Sequence, residues 1–241
     1  MLSTALRQPP AVAQPFTHQE AEHPTTMRDR PQLSQSSHVN VSIFHFDRRL
    51  RPSVWIFGYG SLIWNPGFEY AERRKAIAPG FARRFWHGNA SHRGTREQPG
   101  RVVTVVRDAH ATAVGVLYRV EGVAQINAAL KHLHYREIEN GYQYESLNVL
   151  TTTTPAKRDA DHPKQTVMHA LTVVARADSD EFAGAADEQS IAEQIAAAEG
   201  RAGRNADYLL RLAHATRELF PSFHDEHLYT LERLVIERMA M

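Results

Sequence analysis

The sequence predicts an α+β domain in which helices are laid over a mostly antiparallel or mixed sheet. Three observations carry that reading. β-Prone runs broken by turn residues crowd the stretch from Val54 to about Val120, two more strand-like runs follow a single helical interruption, and beyond about Asp187 apolar residues recur at spacings of three and four. Strands first and helices afterwards is the order of an α+β domain, not of a doubly wound alternation. The sequence contains no internal repeat.

Taken in order, residues 1–52 hold six of the twelve prolines and none of the thirteen glycines, and Gln8 to Asn40 is crowded with Gln, Ser, Thr and His. That composition predicts a disordered N-terminal extension over 1–50 and a folded domain over 51–241, with Met27 as an alternative start. The runs VWIFG, FARRFWHGN, RVVTVVR and ATAVGVLYRV read as strands, with Asp108 to Ala111 turning the last two into a hairpin. From Gly122 to His134, Val123, Ile126, Ala129, Leu130 and Leu133 share one helical face. Tyr142 to Thr154 and Thr166 to Ala175 return to strand, the second apolar enough to be buried on both sides. Helices then centre on Ile191 and Ile195, on Leu209 and Leu212, and on Leu228, Leu231 and Leu234, with Asn205 and Pro221 as start and stop signals of the middle one.

The composition excludes several classes of function. At 241 residues and 42% hydrophobic content the chain can bury a normal core. With no cysteine, it offers no disulfide, thiol nucleophile or thiolate-held metal, and it fits a reducing, cytoplasmic setting. No run approaches the ~18 apolar residues a membrane helix needs, and a net charge of +1 gives no global reason to expect a nucleic acid or membrane partner. Charge is nevertheless uneven. Residues 73–107 carry nine Lys and Arg against Glu97 alone, and residues 176–199 carry seven acids against Arg176. These are either solvated faces that offset one another or a cleft that draws in an anion.

Several motifs fail on inspection. Gly58-Tyr59-Gly60 lacks the third glycine of a dinucleotide loop, and Ser61 is not in a nucleophile elbow. His224 and His227 do not meet the zincin spacing, so no metal site is expected there. Two constellations survive. Gly58 to Ser61, at the end of a buried strand, is either a plain turn or a backbone cradle for an anion or developing oxyanion. In the segment from Tyr135 to Tyr142, Glu137 and Glu139 are either solvated loop carboxylates or, at the negative end of a helix and shielded from water, a general base.

Together the segments IFGYGSLIW, RRFWHGNASHRG, PGRVVTVV, GVLYRV, YREIENGY, GRNADYL and DEHL, in this order from Val54 to Val235, resemble the ChaC-type γ-glutamylcyclotransferases that act on glutathione. The resemblance implies a small mixed β-barrel with helices packed around it. It also implies cleavage of glutathione to 5-oxoproline and cysteinylglycine without metal, nucleotide or covalent intermediate. It places the catalytic acid/base on Glu137 and the substrate loop on Ile56, Phe57, Gly58, Tyr59, Gly60 and Ser61. Tyr142 either hydrogen-bonds substrate or is a core aromatic. Arg84 or Arg93 would draw in the substrate carboxylates. Asn140 stands where the family often has glycine, and its tolerance of left-handed backbone is expected to preserve the turn. Arg201 replaces the family's proline. Two other functions compete: a cyclotransferase for other γ-glutamyl amino acids or γ-glutamylamines, and an RNA-binding module using Arg83, Arg84, Phe85 and Trp86.

Overall fold

The computed structural model describes residues 52–153 and 164–241. The expected extension over 1–50, the alternative start at Met27 and the last residue of the Tyr142 to Thr154 strand lie outside them.

Five strands close into a barrel: β1 (Ser53–Gly58), β2 (Glu72–Asn89), β3 (Gly100–Glu121), β4 (Tyr142–Thr153) and β5 (Lys164–Ala175), in spatial order β1-β3-β2-β4-β5. All neighbours are antiparallel except β1 and β5, whose parallel contact at Ile56 and Leu171 completes the ring. β1 therefore has a strand on each side. Helix α1 (Val123–Arg136) covers its outer face, where Ile126, Ala129 and Leu133 pack on Val54 and Ile56. Val123, expected on that face, sits in the first turn and is exposed. Across the barrel, α2 (Glu188–Ala197), α3 (Asn205–Leu219) and α4 (Glu226–Met239) bury Ile191, Ile195, Leu209, Leu212, Leu228 and Leu231 in the main core. β6 (Glu199–Gly200) and β7 (Gly203–Arg204) form a short hairpin between α2 and α3.

The expected hairpin at Asp108 to Ala111 is not a turn, because β3 runs through it. Pro79 pairs with Thr112 and Phe81 with Arg107, so two steps along β2 are matched by five along β3 and residues 108–111 bulge from the ladder. Opposite the bulge, Gly80 takes φ +79, a left-handed backbone that suits glycine. The turn-forming residues thus bend two long strands around the barrel instead of ending them. The hairpin connection is the loop 90–99, whose His92 and Arg93 line a cavity. β2 also begins earlier than expected, its charged first turn being a solvent-facing edge anchored by Glu72 on Arg74 and Arg119.

Helix termini show where short polar side chains act. Asp187 caps α2 by accepting the Ser190 N–H at 2.9 Å, and Asp225 caps α4 by accepting the Leu228 N–H at 3.1 Å. Asn205, expected as a start signal, instead spends its side chain on β3: Oδ1 accepts the Arg101 N–H at 2.6 Å and Nδ2 donates to the Arg101 carbonyl at 2.8 Å. That pins α3 to the strand that walls the site.

Candidate active site

Glu137 stands at the C-cap of α1, where the helix hands over to a short 3-10 turn (Ile138–Asn140) leading into β4. Gly141, at φ +80, supplies the left-handed residue that reverses the chain, while Asn140 stays within the 3-10 turn. The left-handed role expected of Asn140 therefore falls to its neighbour. Asn140 instead holds the turn together: Nδ2 donates to the Arg136 carbonyl at 2.9 Å, and the buried ring of His87 bonds its carbonyl through Nε2 at 2.8 Å.

The Glu137 side chain is 15% exposed and pairs with the neighbouring Arg136, Nε to Oε1 at 2.9 Å. Burial raises its carboxyl to about 7, against the opposing pull of the Arg136 guanidinium. Glu139, two residues on, is exposed.

Facing Glu137 is the turn that follows β1. Tyr59, Gly60, Ser61 and Leu62 line a tight pocket with Glu137, Val103, Tyr142, Val173 and Tyr208. Its glycines are there for close approach: a Cβ on Gly58 would fall 2.5 Å from the Leu62 Cβ, and one on Gly60 2.8 Å from Val103 Cγ1 and 3.3 Å from the Tyr208 hydroxyl. Arg136 ties the turn to Glu137, donating to Ser61 Oγ and to the Asn65 carbonyl, each at 2.6 Å. One guanidinium thus sets the distance between the carboxylate and the turn.

Of the expected site residues, Tyr59, Gly60, Ser61, Tyr142 and Glu137 are brought together. Ile56 and Phe57 are not. With strands or helices on every side of β1, Ile56 packs under α1 and Phe57 points into the main core, both buried. Gly58 shapes the turn without lining the pocket. The Tyr59 and Tyr142 hydroxyls are bound to backbone, donating to the Val173 carbonyl at 2.6 Å and the Val103 carbonyl at 2.8 Å. Burial pushes both phenols well above their ordinary range. They wall the pocket as rigid aromatics.

The pocket opens into a larger cavity of about 370 Å³, also walled by Trp64, Asn89, His92, Arg93 and Arg211. Arg93, one of the two arginines expected to meet substrate, is on this wall. Arg84 is elsewhere, stacked near Trp86 and donating to the Arg83 carbonyl. The sequence reading missed Arg136, Tyr208, Trp64 and Arg211. Arg136 adjoined Glu137 in the quoted YREIENGY segment, and Tyr208 lay within GRNADYL.

Other quoted segments are structural. Arg83 is buried and donates to Asp225 at 3.0 Å, Thr216 Oγ1 at 3.2 Å and the Val114 carbonyl at 2.6 Å, so it joins two strands to two helices. His227 Nε2 accepts the Phe85 N–H at 3.1 Å while its Nδ1 faces Glu188 at 3.1 Å. That geometry requires the neutral ring with its proton on Nδ1. The proposed RNA-binding surface is overturned by the same facts, because Arg83 and Phe85 are core residues and cannot meet phosphate or base.

The fold itself places the chain in a class. A solved yeast γ-glutamyl cyclotransferase, described as specific to glutathione, superposes with a TM-score of 0.68 at 26% identity, covering 77% of this chain and 96% of its own. The chain belongs to the ChaC family, whose model, described as ChaC-like protein, matches residues 54–238. Among its relatives, a zebrafish (Danio rerio) protein named glutathione-specific gamma-glutamylcyclotransferase 1 is 37% identical over 77% of this chain and 90% of its own length. The human protein of that name is 41% identical over 73% of this chain and 75% of its own length. No described helix is long and apolar enough to cross a membrane.

Proposed function

We propose that this protein is a glutathione-specific γ-glutamylcyclotransferase, that residues 51–241 are its catalytic domain, and that it works in the cytoplasm. The observation that carries the reading is Glu137, a carboxyl raised to about 7 and facing the Tyr59 to Leu62 turn across a pocket open to a basic cavity. Relatives at 37% and 41% identity bear the name of that activity.

The reaction is internal to the substrate. The α-amine of the γ-glutamyl group attacks its own side-chain carbonyl carbon, closing a five-membered ring. An ammonium cannot attack, so Glu137 takes its proton. A carboxylate poised near neutrality suits that transfer, which contributes roughly 10²- to 10⁴-fold. As the C–N bond forms, the carbonyl oxygen gains charge, and the backbone N–H groups of Gly60 and Ser61 supply fixed dipoles for it. The amide bond to cysteine then breaks as Glu137 returns that proton to the departing nitrogen, and the second proton that the attacking nitrogen sheds to become a lactam N–H passes through the same carboxylate to the same nitrogen, which leaves as the ammonium of cysteinylglycine. 5-Oxoproline and cysteinylglycine leave, with atoms balanced and no water consumed. The rigid aromatic walls favour the folded-back conformer that brings amine and carbonyl together.

The test is Glu137→Gln, which keeps the shape and removes the base. Turnover of glutathione falls by about 10²- to 10⁴-fold while the circular dichroism spectrum is unchanged, and Glu139→Gln stays within a few-fold of the parent. Near-parental turnover by Glu137→Gln would remove the assignment.

A further inference from the structure

The outer cavity has a composition that the proton transfer does not require. Arg93 and Arg211 stand on its wall, flanking an aromatic pair: the Arg93 Cζ is 5.8 Å from the Tyr208 ring, the Arg211 Cζ is 5.2 Å from the Trp64 ring, and those rings are 5.9 Å apart. Neither guanidinium has a carboxylate partner among the described residues. Among the described residues the Arg93 guanidinium donates only to the Arg204 carbonyl, at 3.2 Å, while the Arg93 backbone N–H goes to Asn89 Oδ1 at 2.6 Å, and Arg211 has no hydrogen bond or ion pair. Asp207, whose field reaches Arg93, is held by Arg204 at 2.7 Å. The single acid on the cavity wall is Glu137, already paired with Arg136.

Two cations facing one cavity without a counter-ion repel one another. The Arg93 guanidinium is held below its ordinary range chiefly by burial; Tyr208 and Asp207 pull it back up, and Arg211 adds a smaller push down. A bound anion removes the repulsion and collects two charge-assisted contacts. With Glu137 and the Tyr59 to Leu62 turn on the small inner pocket, the cyclotransferase reading puts the reacting γ-glutamyl head there and the rest of the substrate in the wider space where these arginines stand.

We propose that Arg93 and Arg211 bind the terminal carboxylate of the leaving dipeptide, so that the cavity selects a γ-glutamyl dipeptide with a free C-terminus over analogues lacking that charge. This rests on the cyclotransferase reading and adds its specificity element. Tyr208 and Trp64 hold the two guanidiniums by stacking against them, which lowers the entropy lost when the fork closes on a carboxylate.

The experiment compares glutathione with its C-terminal glycinamide, identical at the reacting end. Binding is measured by calorimetry in the Glu137→Gln background, where turnover is slowed by the loss of the carboxylate, and kcat/KM is measured in the parent. The parent prefers the acid by roughly 10- to 100-fold, the worth of a charge-assisted contact. Arg211→Gln and Arg93→Gln each remove most of that preference by weakening the acid and leaving the amide within about 3-fold, and kcat changes little. Equal binding of acid and amide by the parent, or a preference that survives both substitutions, overturns the proposal. If the binding preference is present and depends on the arginines while the parent releases no 5-oxoproline, the carboxylate site stands and the cyclotransferase reading falls.

Discussion

Glu137 holds two properties in tension, since the burial that raises its carboxyl toward neutrality, as the proposed base needs, also makes it a cost to the fold. Its folded value of about 7 exceeds the ordinary 4.5, so the native state holds a proton that the unfolded chain has released between those values. Stability therefore falls as pH rises from about 4.5 to about 7 and stays lowered above. Glu137→Gln escapes this, so its melting temperature at pH 8 is expected to equal or exceed the parent's, with the difference gone at pH 4. A variant less stable than the parent at pH 8 would show that the carboxylate is structural. Arg136 acts on the same proton in the opposite direction. In Arg136→Gln the carboxyl loses its cation, so the rising limb of the pH profile of kcat/KM moves to higher pH, and the Ser61 turn is released at the same time. A limb that stays in place would contradict the pairing seen here.

At the scale of elements, the site depends on how the helices are fastened to the barrel. Arg83 and Asp225 form a buried pair that joins β2 and β3 to the start of α4, and losing one partner strands the other without water. Arg83→Met is expected to cost about 3–5 kcal/mol in a denaturant titration. A loss under 1 kcal/mol would mean the pair contributes little beyond its shape. His227, neutral and buried between Phe85 and Glu188, has its value lowered chiefly by burial. Its contribution is complete above the ordinary histidine value and is lost as pH falls below it. Within the turn, Gly58→Ala drives a Cβ against Leu62 and pushes Ser61 from Arg136, so glutathione turnover should fall by at least 10-fold with the barrel intact. Wild-type turnover in that variant would show the turn to be adaptable.

For the whole molecule, elements with a repeating pattern were legible and the closures between them were not. Helical spacing located α1, α3 and α4 because each buries one stripe, and β1 and β5 stood out as apolar runs. The continuity of β3 was hidden because Asp108 to Ala111 carries turn chemistry that a long strand uses as a bulge. The charged start of β2 was hidden because its residues face solvent and pair with one another. Glu137 and the glycine turn were legible through the family resemblance, as neighbouring residues in short segments. Arg136 could be read only as the partner of Glu137 once α1 and the 3-10 turn were built. Trp64 closes the quoted IFGYGSLIW segment, but its pairing with Arg211 could not be read, since the two lie far apart in sequence and meet only because α3 docks on the turn after β1. The basic stretch of residues 73–107 likewise resolved into different things: a buried pin at Arg83, a buried brace at Arg101 that reaches the Phe85 and Gly184 carbonyls, and a cavity group at Arg93.

All of this converges on a proton moved by Glu137 within a substrate that closes on itself. The most direct measurement is a mass-spectrometric time course of glutathione incubated with the purified protein. The account predicts 5-oxoproline and cysteinylglycine appearing in equal amounts from the first time point, with no free glutamate. Glutamate in place of 5-oxoproline would show that water, and not the substrate's own amine, attacks the carbonyl, and would contradict it.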